Sequence, residues 1–92
     1  MTQLQSDLLE LKNLGAASVN ILHAIGINNY DDLKSTGSVE AYTKIKGRGI
    51  NVSKVMLYAL EGALLDVPWN ELDTSLKEDL VNQANKRLDE AS

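Results

Sequence analysis

Four cations stand out for where they sit. Residues 44–60 carry Lys44, Lys46, Arg48 and Lys54 and no acid, and the first three flank or fill the triplet Gly47-Arg48-Gly49. Cations around a glycine-rich turn, with a helix starting just beyond it, are the chemistry of a phosphate or carboxylate contact, because backbone amides and ammonium groups both donate to anionic oxygen. The same cations also suit a solvated edge, since Lys and Arg in the last turn of a helix meet its negative end favourably. Other reactive groups are few. His23 is the sole imidazole, and a general base normally needs an orienting partner and a nucleophile or substrate proton beside it. No Gly-x-Ser-x-Gly elbow, His-Glu-x-x-His pair or phosphate loop of the Gly-x-x-x-x-Gly-Lys-Ser/Thr kind is present. Asp31-Asp32 lacks the run of oxygen ligands that a calcium loop supplies, and reads more simply as acid at the positive end of a helix. The expectation is a protein without catalytic residues, metal or cofactor.

A second pattern is Leu11-Lys12-Asn13-Leu14-Gly15-Ala16-Ala17-Ser18, followed a helix's length later by Gly26-Ile27-Asn28-Asn29-Tyr30-Asp31-Asp32-Leu33. Two short helices joined through a Leu-x-x-Leu-Gly turn look like a helix-hairpin-helix unit, whose glycine lets the next helix's amides approach a DNA phosphate. Lys12, Asn13 and Gly15 therefore join Lys44, Lys46, Arg48 and Lys54 as candidate phosphate contacts. Such a hairpin positions a duplex without reading its sequence.

The elements that must hold these residues are helical. Leu4, Leu8, Leu11 and Leu14 recur at helical spacing, with Ser6 or Asp7 near the start and Gly15 suited to positive φ at the end. Val19, Ile21, Leu22 and Ile25 give a second helix stopped by Gly26, and Asn28 or Asn29 caps a short third one closed by Gly37. Ser38 is expected to cap Val39 to Lys46, with Gly47-Arg48-Gly49 ending it. Ser53 caps a longer helix, Lys54 to about Asp66, whose only polar strip is Lys54, Tyr58, Glu61 and Gly62. Being apolar around most of its girth, it belongs at the centre. Pro68 to Leu72 reads as a turn, and Asp73, Thr74 or Ser75 caps a last helix with Leu76, Leu80, Val81, Ala84 and Leu88 on its inner face. Strand signals are thin. The expected fold is all-α: five to six short helices around a buried helix at about 53–66, in one domain over 1–92 with its core at about 4–88.

Composition limits the function further. With no Cys, disulfides, thiolate metal sites and cysteine nucleophiles are excluded together, which suits a reducing compartment. No apolar run approaches a membrane span and the N-terminus lacks a signal-peptide pattern, so the expected location is the cytoplasm. The net charge of −4 argues against a nucleic-acid-coating surface. That figure averages unlike segments: five acids and two bases over residues 1–43, four bases over 44–60, and eight acids with three bases over 61–92. Tyr30, Tyr42, Tyr58 and Trp69 are read as edge aromatics, either lids on the core or anchors for a partner.

Taken together, Leu11-Lys12-Asn13-Leu14-Gly15, Gly26-Ile27 with Asp32-Leu33, Gly37-Ser38-Val39-Glu40-Ala41-Tyr42, the stretch from Val52-Ser53 to Ala63-Leu64, and Trp69-Asn70-Glu71-Leu72 resemble the C-terminal domain of TfoX/Sxy proteins, regulators associated with natural competence in bacteria. The resemblance implies a small helical domain related to helix-hairpin-helix and sterile-alpha-motif-like bundles, and a regulatory rather than catalytic role. In the full-length family this domain follows an N-terminal α/β domain, for which ninety-two residues leave no room. The chain departs from the family where a polar pair such as Pro-Lys commonly follows the turn glycine. Ala16-Ala17 stands there instead, and one lost phosphate contact lowers the salt slope of DNA binding by about 0.9. The expected function is a non-enzymatic regulatory or interaction module with a protein partner or self-association, no membrane and no small-molecule substrate. Its alternative is direct, mostly nonspecific DNA binding through the hairpin and the 44–54 segment.

Overall fold

Six side chains that solvent does not reach turn the leucine pattern into a core: Leu8, Leu22, Leu33, Ile45, Leu57 and Leu60. In the computed structural model, which describes residues 7–91, they come from five successive elements. A 3₁₀ turn at Asp7–Glu10 leads to helices α1 (Ala16–Ala24), α2 (Tyr30–Thr36), α3 (Ser38–Gly47) and α4 (Lys54–Leu65). A second 3₁₀ turn, Trp69–Glu71, precedes the last helix, α5 (Thr74–Ala91). No strand occurs among the described residues. The radius of gyration is 12.7 Å, close to the roughly 12 Å expected of a compact chain this long.

Helix α3 is the hub, packing against α1, α2, α4 and α5, while α1 also meets the first 3₁₀ turn. Helix α4 packs against α3, α5 and the Trp69 turn. Met56, Leu57, Ala59, Leu60, Gly62 and Ala63 are its buried side. Its outer strip differs from the expected one. Gly62 is buried, and Val55 and Leu65 are 42% and 52% exposed. The reason for the buried glycine is close approach: a Cβ there would collide with the Asn13 amide and lie 2.7 Å from the Val67 carbonyl oxygen. α4 ends at Leu65, three residues before Pro68, with Asp66 in the left-handed region at φ 61°.

Three local expectations are corrected. Over the described residues the first leucine segment makes only the 3₁₀ turn Asp7–Glu10; Leu4 and Ser6 lie outside those residues. The positive φ in the following turn falls on Asn13, at 73°, not on Gly15. Asn tolerates that conformation better than other L side chains, and Gly15 is instead extended at the N-cap of α1. Ser38 does not cap α3. Gly37 holds that position at φ 85°, and Ser38 is buried in the first turn with its hydroxyl donating to Glu61 Oε1 at 2.7 Å.

Two expected caps are present. Asn29 Oδ1 accepts from the Asp32 amide at 2.8 Å while Asp32 Oδ2 accepts from the Asn28 amide at 3.0 Å, a reciprocal lock on the start of α2. The Asp7 carboxylate adds a bond from the Tyr30 amide at 2.8 Å, tying the first turn to that helix. Ser53 Oγ accepts from the Val55 amide at 3.3 Å at the start of α4.

Candidate functional site

The cationic segment is less available than its sequence suggests. Helix α3 continues through Gly47, and the turn after it uses its own amides. Arg48 N donates to the carbonyls of Lys44 and Ile45, Gly49 N to Lys46 at 2.9 Å, and Ile50 N to Ile45 at 3.2 Å. The expected cradle of free amides is thus closed by the helix's C-terminal hydrogen bonds. Lys44 Nζ lies 3.8 Å from Glu40 Oε2, and Lys46 Nζ sits 5.7 Å over the Tyr42 ring. Glu40 also receives Arg87 at 3.2 Å, so the α3–α5 groove of about 460 Å³ beside it is neutralised from within. Arg48 and Lys54 are exposed and outside any ion pair among the described residues.

The hairpin divides differently. Lys12 is exposed. Gly15 gives α1 no side-chain cap, so the first amides of that helix keep the polarity a phosphate-facing hairpin requires. Asn13, by contrast, is turned inward. Its Nδ2 donates to the Val67 carbonyl at 2.9 Å and, more weakly, to Ala59 at 3.5 Å, and its Oδ1 accepts from the Trp69 amide at 3.0 Å. With both amide atoms used, it fastens the N-terminal turn to the chain leaving α4 and is no phosphate donor.

The four aromatics separate as well. Tyr42 is 6% exposed and belongs to the core, so it is withdrawn as a partner anchor. Tyr30 is half-buried. Tyr58 and Trp69 stack with centroids 6.1 Å apart and planes 20° from parallel. Lys77 Nζ covers both, at 5.5 Å from the Tyr58 ring and 5.3 Å from the Trp69 ring. That arrangement is a cation–π clamp holding the start of α5 to the Trp69 turn.

Trp69 also belongs to a groove between α1 and α4 of about 280 Å³. α1 packs on α3 rather than broadly on α4, which leaves the space open. It is lined from α1 by Ala17, Ser18 and Ile21, from α4 by Val55, Met56 and Ala59, and from the second 3₁₀ turn by Trp69. Neither α1 nor α4 has an acid in its first turn, and no acidic side chain lines the groove. Of the residues singled out from sequence, the groove gathers Asn13 and Trp69 and leaves the Lys44–Arg48 edge elsewhere. Sequence reasoning missed Val55 as an exposed rim residue. It also missed Asn13 as a fastener, although a glycine inside an apolar helix was a signal of close approach.

His23 is exposed on α1, and the described residues contain no group of three or more His, Cys, Asp or Glu placed to hold a metal ion. No helix among them is long and apolar enough to cross a membrane.

Comparison with known proteins places this geometry. A family model described as the TfoX C-terminal domain matches residues 4–84. Among solved structures, an uncharacterized protein from Listeria monocytogenes in a triclinic crystal form is 38% identical, covering 80% of this chain and 84% of that one with a TM-score of 0.76. A protein of unknown function from the same organism, in a tetragonal form, is 35% identical over 85% of this chain and 96% of that one, with a TM-score of 0.78. The search of curated proteins finds no match.

Proposed function

Because the chain belongs to the TfoX C-terminal domain family, we propose that it is a non-enzymatic regulatory module that works by binding a protein partner through the α1–α4 groove. The observation that carries this reading is the groove itself. Its lining joins buried Met56 and Ala59 with the aromatic Trp69 and the exposed apolar Val55. Concave apolar surface with a few polar groups at its edge is what partner anchors fill. No nucleophile, base and orienting group stand together around it, and His23 is not among the residues that line it. The test is affinity capture from an extract of the source cells, with and without nuclease, using wild-type chain and a Val55→Glu variant. A protein recovered with both treatments and lost with the variant supports the reading. Recovery that disappears with nuclease contradicts it and transfers the function to nucleic acid.

The second reading, direct nonspecific DNA binding, has one observation in its favour: the uncapped start of α1 beside exposed Lys12. Titration of a labelled duplex at low and moderate salt separates the two. Binding at 50 mM salt that falls on reversing Lys12 supports DNA contact, and no binding there removes it.

A further inference from the structure

We propose that Lys77 is a positioning residue for the α1–α4 groove: its ammonium, over the Tyr58 and Trp69 rings, holds the indole in the orientation that lines the groove. It thereby sets how tightly the groove binds its occupant; this rests on the groove being the partner surface. Trp69 is the one aromatic side chain that lines the groove, and its own turn does little to fix it. Trp69–Glu71 is a three-residue 3₁₀ turn with no buried residue, so close packing does not lock the indole as it locks a core ring. Asn13 holds only the backbone there, the Trp69 amide donating to its Oδ1 at 3.0 Å. The indole N–H has no hydrogen-bond partner among the described residues. The specific contacts that orient the ring are its stack on Tyr58, with centroids 6.1 Å apart, and the Lys77 ammonium 5.3 Å from its own centroid.

The charge of Lys77 is directed at these rings. The side chain is half-buried, belongs to neither ion pair found among the described residues, and lies 5.5 Å from the Tyr58 ring as well. One ammonium over two stacked rings holds both together, because swinging the indole away gives up the stack and the cation–π contact at once. Neither Tyr58 nor Lys77 lines the groove, so both act on an occupant through Trp69. The same geometry links the groove to α5, since Lys77 lies in the first turn of that helix. An occupant packed against the indole stabilises the docked start of α5, and undocking that start releases the indole.

The test reads Trp69 and the groove separately in the wild-type chain, Lys77→Met, Lys77→Arg and Val55→Glu. Trp69 is the only tryptophan, so quenching of its fluorescence by acrylamide reports on that ring alone. The groove is probed by fluorescence titration with prodan, a neutral naphthalene dye on which loss of the Lys77 charge exerts no direct Coulombic effect. Met and Arg match Lys in helix propensity, so circular dichroism should be unchanged in both Lys77 variants. The expected result for Lys77→Met is a more readily quenched indole and roughly fivefold weaker dye binding. Lys77→Arg, which keeps a cation over the rings, restores both, and Val55→Glu loses the dye. Dye binding lost with Val55→Glu but unchanged by Lys77→Met overturns the role of Lys77 and leaves the groove standing. Weaker binding in Lys77→Met with the indole quenched as in the wild type, or not restored by Lys77→Arg, overturns it too, because a merely structural loss behaves that way. Dye binding indifferent to Val55→Glu, or absent from the wild-type chain, overturns the groove reading and the Lys77 inference with it.

Discussion

Replacing Asn13 by Ala tests the fastener that joins the N-terminal turn to the core. The change removes the bonds to the Val67 carbonyl at 2.9 Å and from the Trp69 amide at 3.0 Å, and puts a Cβ-bearing residue with no compensating side chain at φ 73°. Two part-buried hydrogen bonds at about 1 kcal/mol each, with about 1 kcal/mol for a left-handed alanine, give a destabilisation of about 3 kcal/mol. For a domain of this size that lowers Tm by roughly 12–24 °C. Asn13→Gly loses the same bonds without the backbone strain, so it should cost about 2 kcal/mol. Gly62→Ala attacks the fastener from the other side. Its helix gain of roughly 1 kcal/mol is set against a Cβ that meets the Asn13 amide and lies 2.7 Å from the Val67 oxygen, and overpacking of this kind costs about 1–3 kcal/mol. Since Asn13→Gly and Gly62→Ala disrupt one contact, the double variant should be about 1 kcal/mol more stable than the sum of the singles predicts. Urea unfolding followed by circular dichroism, with the slope checked for constancy, measures all of them. Losses below about 0.5 kcal/mol for the Asn13 variants, or strict additivity in the double, would refute the reasoning.

Ser38→Ala removes a buried hydroxyl that donates to Glu61 at 2.7 Å; a loss of about 1.5 kcal/mol in chemical denaturation is expected for a bond to a charged acceptor. Asn29→Ala deletes the cap on α2, where Oδ1 accepts from the Asp32 amide at 2.8 Å, and should cost about 1 kcal/mol. Leu57→Ala, at a side chain with no exposure, should cost about 2–5 kcal/mol, enough to leave a marginal domain partly unfolded at room temperature by circular dichroism. Reversing Lys44, Lys46 and Arg48 together should change duplex binding little at 50 mM salt, because the Gly47–Gly49 turn has no open cradle of amides; a loss of several units of salt slope would show that this edge does contact phosphate.

The helices were legible because their signals are local. Asn29 and Ser53 as caps, and Gly26 and Gly37 as stops, all act within one turn of the chain, and each does so in the structure, whereas the first leucine run makes only a 3₁₀ turn over the described residues. What stayed hidden depends on residues distant in sequence. Asn13 reads as a hairpin residue until Val67 and Trp69 arrive beside it, 54 and 56 positions away. Ser38 sits where a cap belongs, but its hydroxyl is drawn to Glu61 across the α3–α4 contact. Tyr42 has the composition of an anchor and the burial of a core residue. The candidate site was half legible for the same reason. The cationic segment is a sequence run and was visible, whereas the α1–α4 groove exists only once two helices lean apart, and only then does Val55 acquire a role at its rim.

The most direct test of the partner-binding account is amide chemical-shift mapping of the isotope-labelled chain titrated with the partner recovered by affinity capture. The account predicts that the largest perturbations fall on Ser18, Ile21, Ser53, Val55 and the Trp69 indole, with residues 44–48 and the α3–α5 groove nearly unmoved. Perturbations concentrated on Lys44 to Arg48, or on Glu40 and Arg87, would contradict it.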